Sequence, residues 1–317
     1  MNSIEVRNLT KKFGEFTAVH NISFDVSQGE VFGFLGANGA GKSTAIKMLC
    51  AILEPTSGNA LVGGFSIKEE PDKIKRIIGY MSQKFSLYND LTVEENINFF
   101  GGIYGLKNNH LIERKKWALR IANLEGREKT LTHNLSAGFK QRLALGCSVL
   151  HEPKIVFLDE PTGGVDPISR RNFWELINDL SQKGITVFVT THYLDEAEYC
   201  NRIMMIDAGK LIAGGSPKEI KTNYLNKTIL EIECNLNSRA MEILDKLYFV
   251  QNTAYFGNYL HISISADKSN QNEIDEQISL IKKALTQDST VNIHRIDKIV
   301  PSLEDVFVNL IDTGVKE

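Results

Sequence analysis

No stretch of this 317-residue sequence is apolar for long enough to cross a bilayer, since a spanning helix needs about 20 mostly apolar residues. The longest apolar runs, such as Ile155–Leu158 and Ile185–Val189, are strand-length. The opening Met1-Asn2-Ser3-Ile4-Glu5 lacks the basic-then-apolar layout of a signal peptide. Cysteine is scarce: Cys50, Cys147, Cys200 and Cys234 lie far apart, with no CxxC pair. That excludes a disulfide scaffold and a zinc ribbon, and suits a reducing compartment. An excess of one charge is missing too. A net charge of −3 gives no reason to expect nucleic acid or an anionic membrane surface as a partner. Together these absences predict a cytosolic soluble chain that meets a membrane only through a partner.

What is present is ordinary globular material. Hydrophobic residues make up 42% and charged residues 24%, enough apolar surface to build a core. The length suggests about two domains. Two textures support this. Residues 1–223 alternate short apolar runs with glycine-rich turns and helical patterns. Residues 227–317 are poorer in glycine and carry a net charge of about −5, against about +2 before them.

In the first region, Glu30–Leu35 reads as a buried strand running into Gly36-Ala37-Asn38-Gly39-Ala40-Gly41-Lys42-Ser43-Thr44. A helical pattern follows. This strand, glycine loop and helix fit G-x-x-x-x-G-K-[ST], the P-loop. Its glycines let successive backbone N–H groups point at phosphate oxygens, and the helix adds its positive end. Lys42 is expected to reach the β- and γ-phosphates and Ser43 to ligate Mg²⁺.

Helices are expected at 92–104, 110–123 and 138–150, forming a subdomain over about 86–151. Thr92 and Glu95 have capping-box spacing. Ile155–Leu158 then ends in Asp159-Glu160. A continuous apolar run suits a strand buried on both faces, and ligands collect at the carboxyl ends of such strands. Asp159 is placed near Mg²⁺, and Glu160 as the base that polarises the attacking water. Taken alone, the two acids could equally cap the next helix. Ser136 and Gly138, in Leu135–Gln141, could be a plain helix start. Strands at 154–158, 185–190 and 202–206, with a helix near 168–181, predict a parallel sheet flanked by helices. The tail reads as βαββαβ, a small ferredoxin-like sandwich, with a last helix from Ser302 to Leu310.

Taken in order, these motifs resemble the ATP-binding subunit of an ABC transporter. The resemblance covers about 1–220. It implies a P-loop NTPase α/β core with an inserted helical subdomain, followed by an accessory α+β domain. It implies that Gln83 contacts Mg²⁺ and couples to a membrane partner, that Leu135–Gln141 is the signature, and that Gly163–Asp166 is the D-loop. His192 is then the switch histidine, and Phe13 stacks on adenine. Two subunits are expected to pair head to tail, as a homo- or heterodimer, with Ser136 and Gly138 reaching the partner's γ-phosphate. ATP and Mg²⁺ are the implied cofactors. The usual LSGGQ signature here is LSAGF, with Ala137 and Phe139 as departures. Gly163 and Gly164 replace larger residues.

Two further stretches, Phe85–Leu106 and Pro301–Phe307, resemble the ATP-binding subunits of ABC-2 type exporters. The expected function is therefore an ATPase that powers a separate ABC-2 permease at the cytoplasmic face of the cell membrane. A soluble ABC-type ATPase acting on DNA or ribosomes is the alternative. Such chains usually carry coiled-coil insertions or two ATP-binding halves, and this sequence has neither. The tail could also serve as a regulatory module.

Overall fold

The computed structural model describes residues 1–83, 87–223 and 227–314. Phe85 and Ser86, part of the exporter-like stretch, lie outside the described residues. The chain divides into two compact units, Met1–Ser216 and Pro217–Glu317.

The first unit contains β1 (Asn2–Phe13), β2 (Phe16–Ser27), β3 (Val31–Leu35), α1 (Lys42–Leu49), β4 (Ser57–Val62), β5 (Phe65–Ser66), α2 (Pro71–Ile77) and β6 (Ile78–Met81). Then come α3 (Val93–Ile103), α4 (Asn108–Ala122) and α5 (Ala137–Ser148). It finishes with β7 (Ile155–Asp159), α6 (Pro167–Gln182), β8 (Thr186–Thr191), β9 (Arg202–Asp207) and β10 (Lys210–Gly215).

The central sheet has the order β10-β9-β3-β8-β7-β6. Five of its strands, β9, β3, β8, β7 and β6, pair in parallel, as expected, while β10 closes one edge antiparallel to β9. A second sheet, β2-β1-β4-β5, is antiparallel. Its strands alternate buried and exposed residues, as a sheet with one wet face must. Five phenylalanines fill the core: Phe24, Phe32, Phe34, Phe157 and Phe188, with ring centroids 5.4–6.1 Å apart for the close pairs. Such aromatic pairs add about 0.5–1.5 kcal/mol each beyond burial.

Both site-bearing strands, β3 and β7, are buried along their whole length. Gly33 is in β3 because a Cβ there would lie 2.8 Å from Cys200 Sγ. In the helical block, α3 begins at the capping box read from sequence. Thr92 Oγ1 accepts from the Glu95 N–H (3.2 Å), and Glu95 Oε2 accepts from the Thr92 N–H (2.8 Å). Asp166 caps α6 by accepting from the Ser169 N–H at 2.9 Å, with Pro167 in the first helical position.

The second unit runs α7 (Pro217–Asn223), β11 (Lys227–Cys234), α8 (Asn237–Leu244), β12 (Val250–Phe256), β13 (Tyr259–Asp267), α9 (Gln271–Thr286), β14 (Ile293–Ile299) and α10 (Leu303–Gly314). Its antiparallel sheet has the order β12-β13-β11-β14. That is the arrangement of a ferredoxin-like sandwich. Leu230, Ile232, Leu260 and Ile262 share one core with Leu244, Ile274 and Ile281 of α8 and α9.

Candidate active site

The loop between β3 and α1 opens the site. Gly39 and Gly41 have φ of +85° and +107°, where side chains are strained. A Cβ on Gly36 would lie 2.2 Å from Ile206 O, and one on Gly41 2.4 Å from Ala18 O. The loop therefore follows its neighbours at backbone distance, which only glycine permits. Lys42 turns inward, with its side chain 3% exposed. Its Nζ donates to Gly36 O (2.8 Å) and Ala37 O (3.0 Å) and lies 3.1 Å from Glu160 Oε1.

The end of β7 meets this loop. Ser43 Oγ donates to Asp159 Oδ1 (3.0 Å), and Thr190 Oγ1 at the end of β8 donates to the same oxygen (2.7 Å). Asp159 is thus held from two sides in a buried position. Glu160 leaves the strand in the left-handed region, φ +49°, with its N–H bonded to Thr190 O and Oγ1, both at 3.1 Å. Such conformations cost about 1–3 kcal/mol and collect at functional sites.

Three candidates converge on the Glu160 carboxylate. Besides Lys42, Gln83 Nε2 donates to Oε2 at 3.0 Å, and His192 Nδ1 lies 3.3 Å from Oε2. The His192 contact is close but is not aligned as a hydrogen bond. Burial would raise the Glu160 pKa, but Lys42, and then His192, outweigh it and hold the carboxyl below its ordinary value.

A cleft of about 340 Å³ lies over this constellation, lined by Phe13, Phe16, Ala18, Asn38, Lys42 and Glu160 among others. Gly39, Gly41, Ser43, Thr44 and Gln83 also face it. Gly36 and Ala40 are buried within the loop. Phe13 and Phe16 stand 48% and 63% exposed at the rim. They are register partners across the two-residue turn joining β1 to β2. Sequence reading found Phe13 but missed Phe16. It also missed Thr190, whose role as a clamp on Asp159 depends on strand order and not on local spacing.

Ser136, Gly138 and Asp166 do not line the cleft. Ser136 is exposed at the start of α5, and its side chain makes no capping bond. A Cβ on Gly138 would lie 2.6 Å from Ser169 Oγ, so glycine lets the starts of α5 and α6 come together. Asp166 is the α6 cap, and its carboxyl is held below the ordinary value by the hydrogen bonds from Ser169.

The oxygen donors Ser43, Asp159 and Gln83 suit a hard divalent ion such as Mg²⁺, which keeps few protein ligands and shares phosphate oxygens. A glycine-walled loop with an inward lysine and a helix start suits a polyphosphate. The arrangement can therefore hold a nucleoside triphosphate and place a carboxylate base beside it.

Residues 19–163 match the ABC transporter family model. The chain is 53% identical over 223 residues to the probable multidrug ABC transporter ATP-binding protein YbhF of Escherichia coli (strain K12). That match covers 70% of this chain and 39% of the relative, so the matched part spans well under half the length of that protein. It is 35% identical over 309 residues, 97% of both chains, to the linearmycin resistance ATP-binding protein LnrL of Bacillus subtilis (strain 168). Among solved structures, it resembles the dimeric ATP-binding cassette MJ0796 in a post-hydrolysis state bound to ADP and phosphate. The TM-score is 0.61 at 26% identity, covering 67% of this chain and 98% of that one.

Proposed function

The chain belongs to the ABC transporter family, as an ATP-binding cassette, and from that premise we propose that it is the ATP-hydrolysing subunit of an ABC-2 type exporter. The reaction is ATP + H₂O → ADP + phosphate, coupled to a separate membrane permease. The observation that carries this reading is the convergence of Lys42, Gln83 and His192 on Glu160, beside the Ser43–Asp159 pair and under the cleft.

The loop amides bind the phosphates, and Lys42 moves from its carbonyl partners to the β- and γ-phosphates. Ser43, Asp159 and Gln83 would hold Mg²⁺, which would neutralise phosphate charge. Glu160, held ionised chiefly by Lys42, accepts a proton from the attacking water. His192 orients that water and the γ-phosphate. Phe13 stacks on the base, with Phe16 beside it at the rim. A second subunit supplies Ser136 and Gly138 to the γ-phosphate, and the free hydroxyl of Ser136 suits that role. Asp166 stands next to that interface.

The permease reading has support on the helical block. Tyr88, Phe99 and Ile103 are 49%, 40% and 62% exposed, and Tyr88 packs edge-on against Phe99 at 4.7 Å. An exposed apolar group of this kind suits a protein partner. The family and the drug-resistance names of its relatives favour export over the soluble-ATPase alternative. The working location is then the cytoplasmic face of the cell membrane, with membrane contact through the permease.

Glu160→Gln tests the proposal. It removes the base but keeps the site's shape, so ATP and Mg²⁺ should drive a stable dimer while turnover falls at least about a hundredfold. Sedimentation showing only monomer with ATP and Mg²⁺ overturns the paired-site reading. Undiminished turnover overturns the role of Glu160.

A further inference from the structure

The second unit holds a groove of about 290 Å³ between α7, the neighbouring ends of β11 and β14, and the turn after β13. Its apolar lining includes Ile229, Ile299, Val300 and Pro301. Ile229 and Ile299 are direct cross-strand partners, so they form one continuous patch. Val300 is 77% exposed, an apolar side chain left almost entirely to water.

Three lysines stand around this patch: Lys221, Lys268 and Lys298. Lys298 Nζ donates to the backbone carbonyl of Lys268 at 2.9 Å, which brings the two side chains to the same edge. Among the described residues, the half-buried Lys268 ammonium makes no hydrogen bond or ion pair. The adjacent carboxylates are engaged elsewhere. Asp267 accepts from the Ser269 N–H and Oγ at 2.8 and 2.5 Å, and Asp297 faces Arg295 at 3.1 Å. Burial, and then the charge of Lys298, push the Lys268 pKa down, against a weaker pull from Asp267. Lys268 and Lys298 thus place positive charge beside the apolar lining, and the charge of Asp267 offsets it only in part.

We propose that this groove binds a monomeric anionic amphiphile, with a carboxylate head against Lys268 and Lys298 and an apolar chain along Ile229, Ile299 and Val300. The volume lies at the lower end of the range for small-molecule sites. It suits one short chain and not a bilayer lipid. Charge complementarity selects the head, and the apolar lining of buried Ile229, half-buried Ile299 and exposed Val300 selects the tail. The site lies in the second unit and does not depend on the ATPase reading.

The test is calorimetric titration of the full chain with decanoate, held below its micelle concentration. Decyltrimethylammonium serves as the cationic control. Decanoate should bind saturably, and decyltrimethylammonium should not. The double variant Lys268→Glu/Lys298→Glu should weaken decanoate at least about tenfold, because even partly screened charge pairs are worth that much. Val300→Asp should also weaken it. Lys268→Gln/Lys298→Gln, a milder pair, should lie between, and all variants should keep the parent's thermal midpoint and ATPase rate. Absence of saturable binding, equal binding of anion and cation, or undiminished binding in the charge-reversed variant overturns the proposal. So does lysine-dependent capture by phosphatidylglycerol vesicles without decanoate binding, which would assign the patch to a membrane surface.

Discussion

Phe139 carries two guanidinium groups on its ring, Arg127 at 4.9 Å and Arg142 at 4.6 Å from the centroid. This is the residue that departs from the usual signature glutamine. Among the described residues, the buried Arg142 Nε has no hydrogen-bond partner. Burial lowers the Arg142 pKa while the charge of Asp166 opposes it. The ring thus fixes two cations beside the start of α5, where a partner's phosphate is proposed to dock. Phe139→Leu keeps an apolar side chain but removes the π face. Each cation–π contact is worth about 0.5–1 kcal/mol, so ATP-driven pairing should weaken roughly five- to thirtyfold. ATP affinity of the single chain should not change, since Phe139 does not line the cleft. Sedimentation of the Glu160→Gln protein with and without Phe139→Leu measures this. Unchanged pairing would reduce the cluster to local packing. The same contrast shows what single residues reveal in sequence. Lys42, Ser43, Asp159 and Glu160 sit in motifs whose spacing reflects their chemistry. Phe16 and Thr190 act through cross-strand placement, which linear spacing does not encode. For Phe16 a signal existed: Phe13-Gly14-Glu15-Phe16 is a two-residue turn that pairs its flanking aromatics.

At the scale of elements, α10 is fastened by a buried histidine. His261 of β13 is 4% exposed and stacks on Phe256 at 4.3 Å. Its Nδ1 lies 2.8 Å from Asp305 Oδ1 on α10, and its Nε2 lies 3.2 Å from Glu231 Oε2 on β11. Arg295 of β14 holds the other Glu231 oxygen at 2.5 Å. Asp305 also accepts from the Ser302 N–H and Oγ, closing the helix cap. Burial opposes the charged imidazole, but Asp305 and Glu231 outweigh it and raise the His261 pKa. Burial likewise opposes ionised Asp305, but His261 and Ser302 hold its pKa down. A raised histidine stabilises fully below its unfolded value and loses that contribution as pH rises through its folded value. A lowered aspartate does the reverse, losing its contribution on acidification through its folded value. Attachment of α10 should therefore be firmest between those limits and loosen on the alkaline side as His261 discharges. Amide-exchange protection factors across 303–311 should fall there, and His261→Phe should flatten the profile. A profile equally steep in His261→Phe would assign the effect to other groups. The βαββαβ order of this unit was legible because each strand and helix shows its own period. Boundaries were less so: the last helix, expected from Ser302 to Leu310, runs Leu303–Gly314. The β4–β5 hairpin, α2 and β10 were not foreseen. They are short edge pieces whose pairing is decided by the rest of the sheet.

For the whole molecule, the two core clusters have no residue in common. One gathers phenylalanines and aliphatics from β1 through β9, the other Phe249 and mainly aliphatics from β11 through the start of β14. Each unit thus buries its own apolar surface, the condition for folding as a separate cooperative block. Unfolding of the full chain should then proceed in two transitions. ATP with Mg²⁺ binds only the folded first unit under the proposed function. At a hundredfold excess over its dissociation constant it adds about 2.7 kcal/mol to that unit alone. For a unit of this size the shift amounts to about 5–10 °C. The second transition should stay in place with nucleotide and move with His261→Phe. Differential scanning calorimetry of the parent, of Lys42→Ala and of His261→Phe, each with and without ATP, separates the contributions. Lys42→Ala should abolish the nucleotide shift of the first transition and leave the second untouched. A single transition that moves as one with both nucleotide and His261→Phe would mean that the units fold as one body. In that case the chemistry at Glu160 and the state of α10 would be thermodynamically linked through the chain.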